Sequence, residues 1–306
     1  MSTRFDILVA GEINPDLILT GDVTPEFDQV EKLVDSAVLT IGSSSAIFAC
    51  GAARLGLKVA FIGVCGEDFF GRFMLDELQK HAVDISNVIV RKDGQTGLSV
   101  ILSYAADRAI LTHAGLMDAL QPSDISDSLL RQTRHLHVAS YFLQTNLQSG
   151  LPALFRRARQ LGLTTSLDTN YDPSEKWVGF DELLSVTNVF LPNEKEALSL
   201  SREANIDLAV KRLADKVEAL AIKLGAAGAL GVQGTQSVRV ASIPVDVIDT
   251  VGAGDSFDAG FLYGYLHKWE LEKSLHFACV CGALSTQKAG GTAAQPTLEE
   301  ALKYVS

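Results

Sequence analysis

The feature that most constrains the fold is the alternation of short apolar segments with longer segments of helical composition. The short segments are often β-branched and recur at residues 5–10, 59–64, 135–139, 163–167, 189–191 and 220–224. The helical segments lie between them, at residues 45–55, 69–81, 148–161, 195–200 and 208–217. Strands that alternate with helices form βαβ units. The pattern therefore predicts an α/β fold with a doubly wound, mainly parallel sheet and helices on both faces.

Two parts of the chain interrupt this alternation. Residues 11–20 and 37–41 are extended in pattern early in the chain. Further along, strand-like pieces follow one another at residues 88–91, 97–104 and 108–113, with turns at Asp93-Gly94 and Ala106-Asp107. Strands joined by short turns pair as antiparallel hairpins and do not fit a βαβ sheet.

These interruptions predict a small β-sheet lid beside the main sheet. No linker, low-complexity tract or fixed-period repeat divides the chain. We therefore interpret residues 1–306 as a single domain that carries the lid. The lid is predicted to be formed by about residues 12–20, 36–42 and 88–114.

Composition and charge exclude several classes of protein. Hydrophobic residues make up 47% of the 306 residues, which argues against global disorder. A membrane span needs roughly 18 consecutive apolar residues, and the chain has no run of that length. The formal net charge of −11 disfavours nucleic acids and anionic membranes as partners, because binding them depends on clustered Lys and Arg. A small anionic ligand remains compatible, since it needs only a local positive pocket.

The four cysteines indicate a reducing environment. They are too few for a disulfide framework, and Asp6 and Glu12 interrupt the first apolar stretch. We therefore expect neither disulfides nor a secretory leader, and a cytoplasmic location. Cys279 and Cys281 are either a pair of metal ligands or small apolar residues of a buried helix, and their spacing favours the helix.

A glycine-rich turn, Asp249-Thr-Val-Gly-Ala-Gly-Asp255, carries the clearest chemical signal. It follows a predicted strand at residues 245–248 and precedes a helical segment at residues 253–267. A helix start presents unpaired backbone amides at the positive end of the helix dipole, and glycine lets an anion approach them. The turn therefore predicts a phosphate site. It is not a P-loop, and Phe257 in place of a third glycine excludes the dinucleotide fingerprint.

Asp255 lies beside this predicted phosphate site, where a carboxylate would repel a bound phosphate. Two interpretations fit the pattern. Asp255 is a base that takes a proton from an attacking hydroxyl while the amides stabilise the transferred phosphoryl group. Alternatively, it is a first-turn acid that complements the helix dipole. The pattern by itself leaves both open.

The turn resembles the C-terminal signature of the ribokinase/PfkB family of carbohydrate kinases. The resemblance extends over nearly the whole chain through four further motifs, Gly11-Glu-Ile-Asn-Pro-Asp16, Gly63-Val-Cys-Gly-Glu-Asp-Phe-Phe-Gly71, Asn193-Glu-Lys-Glu196 and Lys223-Leu-Gly-Ala-Ala-Gly228. It implies a ribokinase-like fold and a phosphotransferase that moves the γ-phosphoryl group of ATP to a hydroxyl, expected to be primary, of a small sugar. It also implies Mg²⁺, K⁺ as in many family members, and a homodimer formed through the lid.

The resemblance implies roles for individual residues. Asp255 would be the catalytic base, and the backbone amides of Gly252, Ala253 and Gly254 would form an anion hole. The residues of the ATP side would be Asn193, Lys223, Gly225, Gly228, Gly252 and Gly254.

Cation sites are implied in the same way. Asn193 and Glu196 would organise Mg²⁺ through water, which suits an ion that dehydrates reluctantly. The same spacing is that of a helix cap with a back-reaching Glu, and both roles can hold together. Asp249 would help to bind a monovalent cation with carbonyls from residues 285–291. Alternatively, it bonds the amides of its own loop.

The sugar side is expected to consist of polar residues that can hydrogen-bond hydroxyls. The candidates are Asn14, Asp16, Gly42, Ser43, Arg108 and Asn170. The alternatives are a turn at Asn14-Pro-Asp16 and, for Arg108, a solvated lid residue.

This side departs from the family pattern at two places. The usual Gly-Gly-x-x-x-Asn is replaced by Gly42-Ser-Ser-Ser-Ala-Ile47, and an isoleucine cannot hydrogen-bond a sugar. Asp172 stands where fructokinase-like and ketodeoxygluconate-kinase-like members carry an Arg. Without that guanidinium to bind a carboxylate, we expect a neutral sugar rather than an acidic one.

Two other functions remain open. A nucleoside kinase would place Ile47 and the aromatic residues near Tyr141 against a base. A non-catalytic nucleotide or sugar sensor would explain the departures on the sugar side, although not the retained Asp255. Tyr141, Phe142 and Gln144 either line the pocket or belong to the core.

Overall fold

A mainly parallel sheet of eight strands runs through the computed structural model, which describes residues 3–104 and 107–305. In the order in which they lie side by side, the strands are β14 (Gln236–Val240), β13 (Ala229–Gln233), β12 (Ala219–Lys223), β11 (Val189–Phe190), β10 (Thr164–Leu167), β9 (His135–Val138), β1 (Ile7–Ala10) and β4 (Val59–Ile62). Neighbours from β12 to β4 are parallel, and β13 and β14 add an antiparallel hairpin at one edge. The predicted α/β fold with a mainly parallel sheet is confirmed.

The hairpin of β13 and β14 has no counterpart among the predicted strands. β14 is an outermost strand of the sheet, and most of its residues are exposed or half-buried. Because one edge of the strand meets solvent, selection for apolar residues is weak there. The alternation of apolar and polar residues in β14 is confined to Val238, Arg239 and Val240, which is too short a signal to mark a strand in the sequence.

Helices cover both faces of the sheet, and alternate residues of a strand supply the two apolar cores. Ile7 and Val9 of β1 belong to one core, whereas Leu8 and Ala10 belong to the other, as the two-residue period of a strand requires. The first core is covered by α1 (Ser44–Arg54), α2 (Phe69–Lys80), α9 (Ala253–Leu266), α10 (Leu271–Ser285) and α11 (Leu298–Leu302). The second is covered by α3 (Asp127–Leu130), α4 (Thr145–Gln148), α5 (Leu151–Gln160), α6 (Phe180–Leu184), α7 (Glu194–Ser201) and α8 (Ile206–Ala214).

The cysteines fit this packing. All four are free and buried, and Cys279 and Cys281 lie inside α10, as the buried-helix interpretation predicts. Within residues 3–104 and 107–305, none of the helices combines the length and the apolar character needed to cross a membrane.

The start of α9 has no side-chain cap, a feature that it shares with α5 and α10. Side-chain oxygens cap α1, α2, α7, α8 and α11, including the capping box predicted at Thr297. α9 instead follows Gly252, which has a φ of 72° and no side chain. No side chain of the capping residue therefore competes for the amides of its first turn.

A second sheet of four strands, called the lid sheet below, accompanies the main sheet. Its strands, in spatial order, are β3 (Ser36–Ile41), β2 (Pro15–Thr20), β7 (Leu98–Tyr104) and β8 (Asp107–His113). β2 pairs antiparallel with β3 and parallel with β7, and β7 and β8 form an antiparallel pair. Ala106 of the predicted hairpin turn lies outside the described residues.

Residues 88–91 do not join the lid sheet, and that part of the prediction is wrong. β6 (Ile89–Arg91) pairs in parallel with β5 (Val64–Gly66), and α2 connects the two strands. The helix returns the chain in the same direction, so β5, α2 and β6 form a further βαβ unit.

The segment before the glycine-rich turn is not a strand either. Residues 241–247 have no regular secondary structure, and Val247 and Ile248 are 59% and 67% exposed. β14 is the outermost strand on that side of the sheet, and this apolar segment does not pair with it. It lines a cavity at the end of β12 instead.

Candidate active site

The predicted site residues meet at the carboxyl ends of the parallel strands. The polar residues placed there are Glu12 and Asn14 after β1, Ser140 after β9, Asp168 and Asn170 after β10, Asn193 after β11, and Lys223 at the end of β12. The direction in which strands are added reverses between β1 and β9, because β4 lies on the other side of β1. Open α/β sheets bind ligands at such a switch point.

A cavity of about 240 Å³ lies between the lid sheet and the start of α9. It is called the sugar cavity below, after the predicted sugar-side residues in its wall. Its lining includes the predicted sugar-side residues Asn14, Asp16, Ser43, Arg108 and Asn170, together with Gly252 and Asp255. Ile47, which replaces the family's Asn, is also part of the wall. The fold thus brings together side chains that are up to about 240 positions apart in the sequence.

Asn14 and Asp16 offer polar atoms to a ligand in this cavity. Nδ2 of Asn14 donates at 3.4 Å to Oδ1 of Asp16 and to Oγ of Ser99. Its Oδ1 is buried and accepts no hydrogen bond from residues 3–104 and 107–305. Burial raises the pKa of Asp16 to about 7, Glu12 and Asp249 add to the rise, and Arg108 opposes it.

Gly42 and Ser43 precede α1 beside the cavity. Gly42 is not among the lining residues, and a Cβ there would lie 2.2 Å from Oδ1 of Asp16, so glycine leaves room for that carboxylate. The hydroxyl of Ser43 accepts from the amide of Ala46 and donates to the carbonyl of Glu12 at 2.7 Å. Direct contact of either residue with a substrate stays a prediction.

Asp255 lies in the first turn of α9, on the wall of this cavity. Burial raises its pKa well above the ordinary value, Asp168 adds to the rise, and Lys223 opposes it. Gly252 precedes it, and a Cβ there would lie 2.8 Å from Cα of Gly291 and from Cγ2 of Ile47. The chain can therefore pass between these residues only with glycine at position 252.

A second cavity, of about 560 Å³, lies on the other side of the first turn of α9. The predicted ATP-side residues Lys223, Gly225, Gly228 and Gly254 line it, together with Ala253. Much of the remaining wall is apolar and includes Ile243, Val245, Phe257 and Ala283. An apolar wall beside exposed helix-start amides suits a nucleotide, whose base and phosphates need these two environments.

The sequence model of the pfkB family of carbohydrate kinases matches residues 4–298. The chain belongs to this family. The ATP-dependent ribose-1-phosphate kinase of Halopiger xanaduensis is 30% identical over 301 residues, which cover 98% of this chain and 98% of that protein. The protein is thus a pfkB carbohydrate kinase, and the predicted family is confirmed.

Solved structures share the fold of this pfkB kinase. A ribokinase from Arabidopsis thaliana complexed with ribose and ATP has a TM-score of 0.87 at 22% identity, covering 99% of both chains. An adenosine kinase from Sinorhizobium meliloti has a TM-score of 0.85 at 24% identity, covering 98% of this chain and 99% of that chain. The predicted ribokinase-like fold is confirmed.

Asn193 and Glu196 form a helix cap in this pfkB kinase. Oδ1 of Asn193 accepts from the amide of Glu196, and Oε2 of Glu196 accepts from the amide of Asn193, both at 2.9 Å. Burial and Asp168 raise the pKa of Glu196 to about 7, whereas Lys223 lowers it. Oxygens of this kind suit Mg²⁺ that keeps its waters, and a water-mediated magnesium site beside this pair stays a prediction.

Asp249 bonds two loops of the pfkB kinase. Its Oδ1 accepts from the amide of Val251 at 3.0 Å, and its Oδ2 accepts from the amide of Gly290 at 2.8 Å. The second bond ties the glycine-rich turn to the loop after α10, from which cation-binding carbonyls are predicted. The loop-bonding alternative describes these contacts, and a cation site beside Asp249 stays a prediction.

Two buried carboxylates next to Asp255, those of Asp168 and Asp258, have no role predicted from the sequence, and both pair with the predicted ATP-side residue Lys223. Nζ of Lys223 lies 3.0 Å from Oδ2 of Asp168 and 3.0 Å from Oδ2 of Asp258. Both carboxylate side chains are 1% exposed. One signal could have shown Asp258, since it follows Asp255 by three positions and so lies on the same face of a largely apolar helix.

Asp172 does not line the sugar cavity. Its Oδ1 accepts from the amide and hydroxyl of Ser174, and its Oδ2 accepts from the amide of Trp177. Burial acts to raise its pKa, but these hydrogen bonds hold the pKa below its ordinary value. Asp172 therefore organises its own loop, and the expectation of a neutral sugar rests only on the missing guanidinium.

The aromatic residues after β9 belong to the core. Tyr141 and Phe142 pack against Phe180 with ring centroids 4.8 and 5.4 Å away, and neither lines the sugar cavity. Nε2 of Gln144 donates to the carbonyl of Ala139. The interpretation that they line the pocket is wrong, because the chain turns these side chains under the cavity.

Proposed function

We propose that this pfkB kinase transfers the γ-phosphoryl group of ATP to a hydroxyl of a small neutral sugar. The position of Asp255 carries the proposal. Its carboxylate lies on the wall of the 240 Å³ cavity, and the helix turn that bears it separates that cavity from the 560 Å³ one. An attacking hydroxyl in one cavity and a nucleotide in the other would meet at this turn.

Each part of the turn has a chemical task in the transfer. Asp255 accepts the proton of the attacking hydroxyl. The amides of Gly252, Ala253 and Gly254 donate hydrogen bonds to the oxygens of the transferred phosphoryl group. Mg²⁺, organised by Asn193 and Glu196 through water, would neutralise phosphate charge when bound. Arg108, which lies in the lid sheet and lines the sugar cavity, adds a positive charge when the lid closes.

The cavity supports a sugar of small size. Its 240 Å³ lies below the range of about 300–1,000 Å³ that is typical for drug-sized ligands. Asn14 and Asp16 supply fixed acceptors for hydroxyls, and Oδ1 of Asn14 has no hydrogen-bond partner in the part of the chain that the structure describes. A primary hydroxyl is proposed as the acceptor because it reaches deepest toward Asp255.

A nucleoside kinase is the second candidate. Ile47, Ile101 and Leu143 give the sugar cavity an apolar wall that could contact a base. The aromatic residues that were expected to stack on that base lie in the core, which weakens this candidate.

Release of ADP with neutral ketoses, pentoses and nucleosides tests the proposal. We expect the highest kcat/KM with a neutral sugar, and loss of turnover with the analogue that lacks its primary hydroxyl. A nucleoside that exceeds every sugar would replace the proposal with a nucleoside kinase. If no compound yields ADP while ligands raise the melting temperature, the chain is a sensor.

We further propose a cytoplasmic homodimer formed through the lid sheet. Val38, Tyr104 and Leu111 of this sheet are large apolar residues that are at least half exposed. β3 and β8 are its edge strands, which are able to pair with a second copy. Light scattering should report twice the mass of the chain, and Leu111→Glu should halve it. A monomeric wild type would contradict the dimer.

A further inference from the structure

The cluster of buried carboxylates behind the glycine-rich turn has the composition of a cation site. Side-chain oxygens of Asp168, Asp255 and Asp258 all lie within 4.8 Å of one another, and all three residues are buried. Buried carboxylates this close repel one another unless a cation or a proton neutralises them.

The ammonium of Lys223 supplies a cation from within the chain. Nζ donates to Oδ2 of Asp168 and to both carboxylate oxygens of Asp258, at 3.0–3.2 Å. An ammonium has three donors, and these contacts occupy them. Although burial acts against the charge, Asp168 and Asp258 hold the pKa of Lys223 above its ordinary value.

The three partners come from different elements, and this gives the contacts a mechanical consequence. Lys223 ends β12, Asp168 follows β10, and Asp258 lies on α9 one turn after Asp255. The ammonium therefore ties the first turns of α9 to the sheet. A Cβ at Gly254 would lie 3.6 Å from Nζ, so the charge also lies beside the predicted anion hole.

We propose that Lys223 is a positioning residue that acts as the built-in cation of this cluster, holding Asp255 and the anion-hole amides in place for phosphoryl transfer. The proposal rests on the proposed kinase mechanism. The structural role of the ammonium can be tested without turnover. A small added cation should bind in the space that Lys223→Ala leaves and should stabilise the variant.

Chemical rescue of Lys223→Ala is the experiment. The substitution removes three methylenes and the charged nitrogen. Propylammonium replaces both, whereas propanol replaces the carbon volume without the charge. We expect kcat to fall at least about 100-fold, with KM for ATP changed less than about threefold. Propylammonium should restore at least a tenth of the lost rate, and propanol should restore none.

A thermal readout separates this proposal from the proposed function. Propylammonium should raise the melting temperature of Lys223→Ala but not that of the wild type or of Lys216→Ala, whose lysine pairs with the exposed Asp181. A wild type without turnover on every substrate would sink the proposed function and leave this readout intact. If Lys223→Ala does not fold, Lys223→Met keeps most of the side-chain volume and should lose kcat to the same extent.

Two results would overturn the proposal. One is a kcat of Lys223→Met within threefold of the wild type, which would show that the charge is dispensable. The other is an Ala variant that folds but responds equally to propylammonium and propanol in rate and melting temperature, which would show that only volume matters.

Discussion

The hydroxyl of Ser140 donates a 2.8 Å hydrogen bond to Oε1 of Glu12, joining two residues that are 128 positions apart. Glu12 follows β1 and Ser140 follows β9, so this bond spans the switch point of the sheet. Oε2 of the same carboxylate accepts from the hydroxyl of Ser45 at 2.6 Å. Glu12 therefore joins its own loop to the loop after β9 and to the start of α1, at the wall of the sugar cavity.

The backbone around Glu12 is strained. Ser43, Ser140 and Asn170 have positive φ angles of 64°, 50° and 54°, a region that residues with a side chain rarely adopt. All three line the sugar cavity, and Nδ2 of Asn170 donates to the hydroxyl of Ser140 at 2.8 Å. Strain of this kind persists only where surrounding contacts hold it. Here Glu12 accepts hydrogen bonds from the hydroxyls of Ser43 and Ser140.

Glu12→Ala should therefore damage sugar binding. The substitution leaves buried hydroxyl donors without an acceptor, which costs about 1–3 kcal/mol for each group. We expect KM for the sugar to rise at least about tenfold while KM for ATP changes little. Steady-state kinetics with both substrates and urea denaturation measure this. Glu12→Gln keeps an acceptor and should restore most of the binding, and Glu67→Ala, at an exposed position, is the control. Equal KM values for Ala and wild type would contradict the role of Glu12.

Asp255→Asn should abolish turnover with little effect on ATP affinity. An amide has the shape of the carboxylate but cannot take the proton, and a general base contributes about 100- to 10,000-fold to a rate. ADP release and equilibrium binding of ATP give the two measurements. Asp246→Asn, at a nearby exposed position, should behave as the wild type. Near-normal activity of Asp255→Asn would sink the assigned mechanism.

The rate should fall as the pH decreases. Asp255 acts as a base only when ionised, and burial together with Asp168 raises its pKa well above the ordinary value, while Lys223 opposes the rise. Glu12 also faces it and adds to the rise. As pH decreases through this raised pKa, the carboxylate takes up a proton and kcat/KM declines. A pH–rate profile measures this decline, and Lys223→Met should move the midpoint of the decline to higher pH. A kcat/KM that stays constant as the pH decreases until the protein unfolds would contradict the assignment.

Stability should also decline in acid, for a separate reason. Burial lowers the pKa of His135 to about 3, and Arg134 adds to the effect. An unfolded histidine has a pKa near 6.5, so between these values the unfolded chain binds more protons than the folded one. The contribution of His135 to the free energy of unfolding is therefore complete above pH 6.5. It falls as the pH decreases, by roughly 1.4 kcal/mol per pH unit for each such histidine.

Urea denaturation at pH 7.5 and pH 5.0 tests this. The wild type should lose roughly 2 kcal/mol or more between the two conditions, and His135→Gln should lose less. His113, in the lid sheet, is exposed, and His113→Gln should keep the pH dependence of the wild type. An identical pH dependence for wild type and His135→Gln would exclude His135 as its source.

The local features of this protein were determined by the sequence itself. Alternating apolar and helical segments predicted the parallel α/β sheet, because strands and helices each have a characteristic spacing of apolar residues along the chain. The turn from Asp249 to Asp255 was equally readable, since its glycines, amides and carboxylate lie within seven consecutive residues.

Tertiary structure decided whatever depends on distant partners. Lys223 meets Asp258 and Asp168 across 35 and 55 positions, and Ser140 meets Glu12 across 128, so no local pattern marks these contacts. The same reason explains the errors. Residues 88–91 do contain a strand, but it pairs with β5 instead of the lid sheet, whereas residues 245–248 form no strand. In both cases the pairing depends on residues that are distant in the sequence. Asp172 and Tyr141 have site-like composition, but only the packed chain decides that they point away from the cavity.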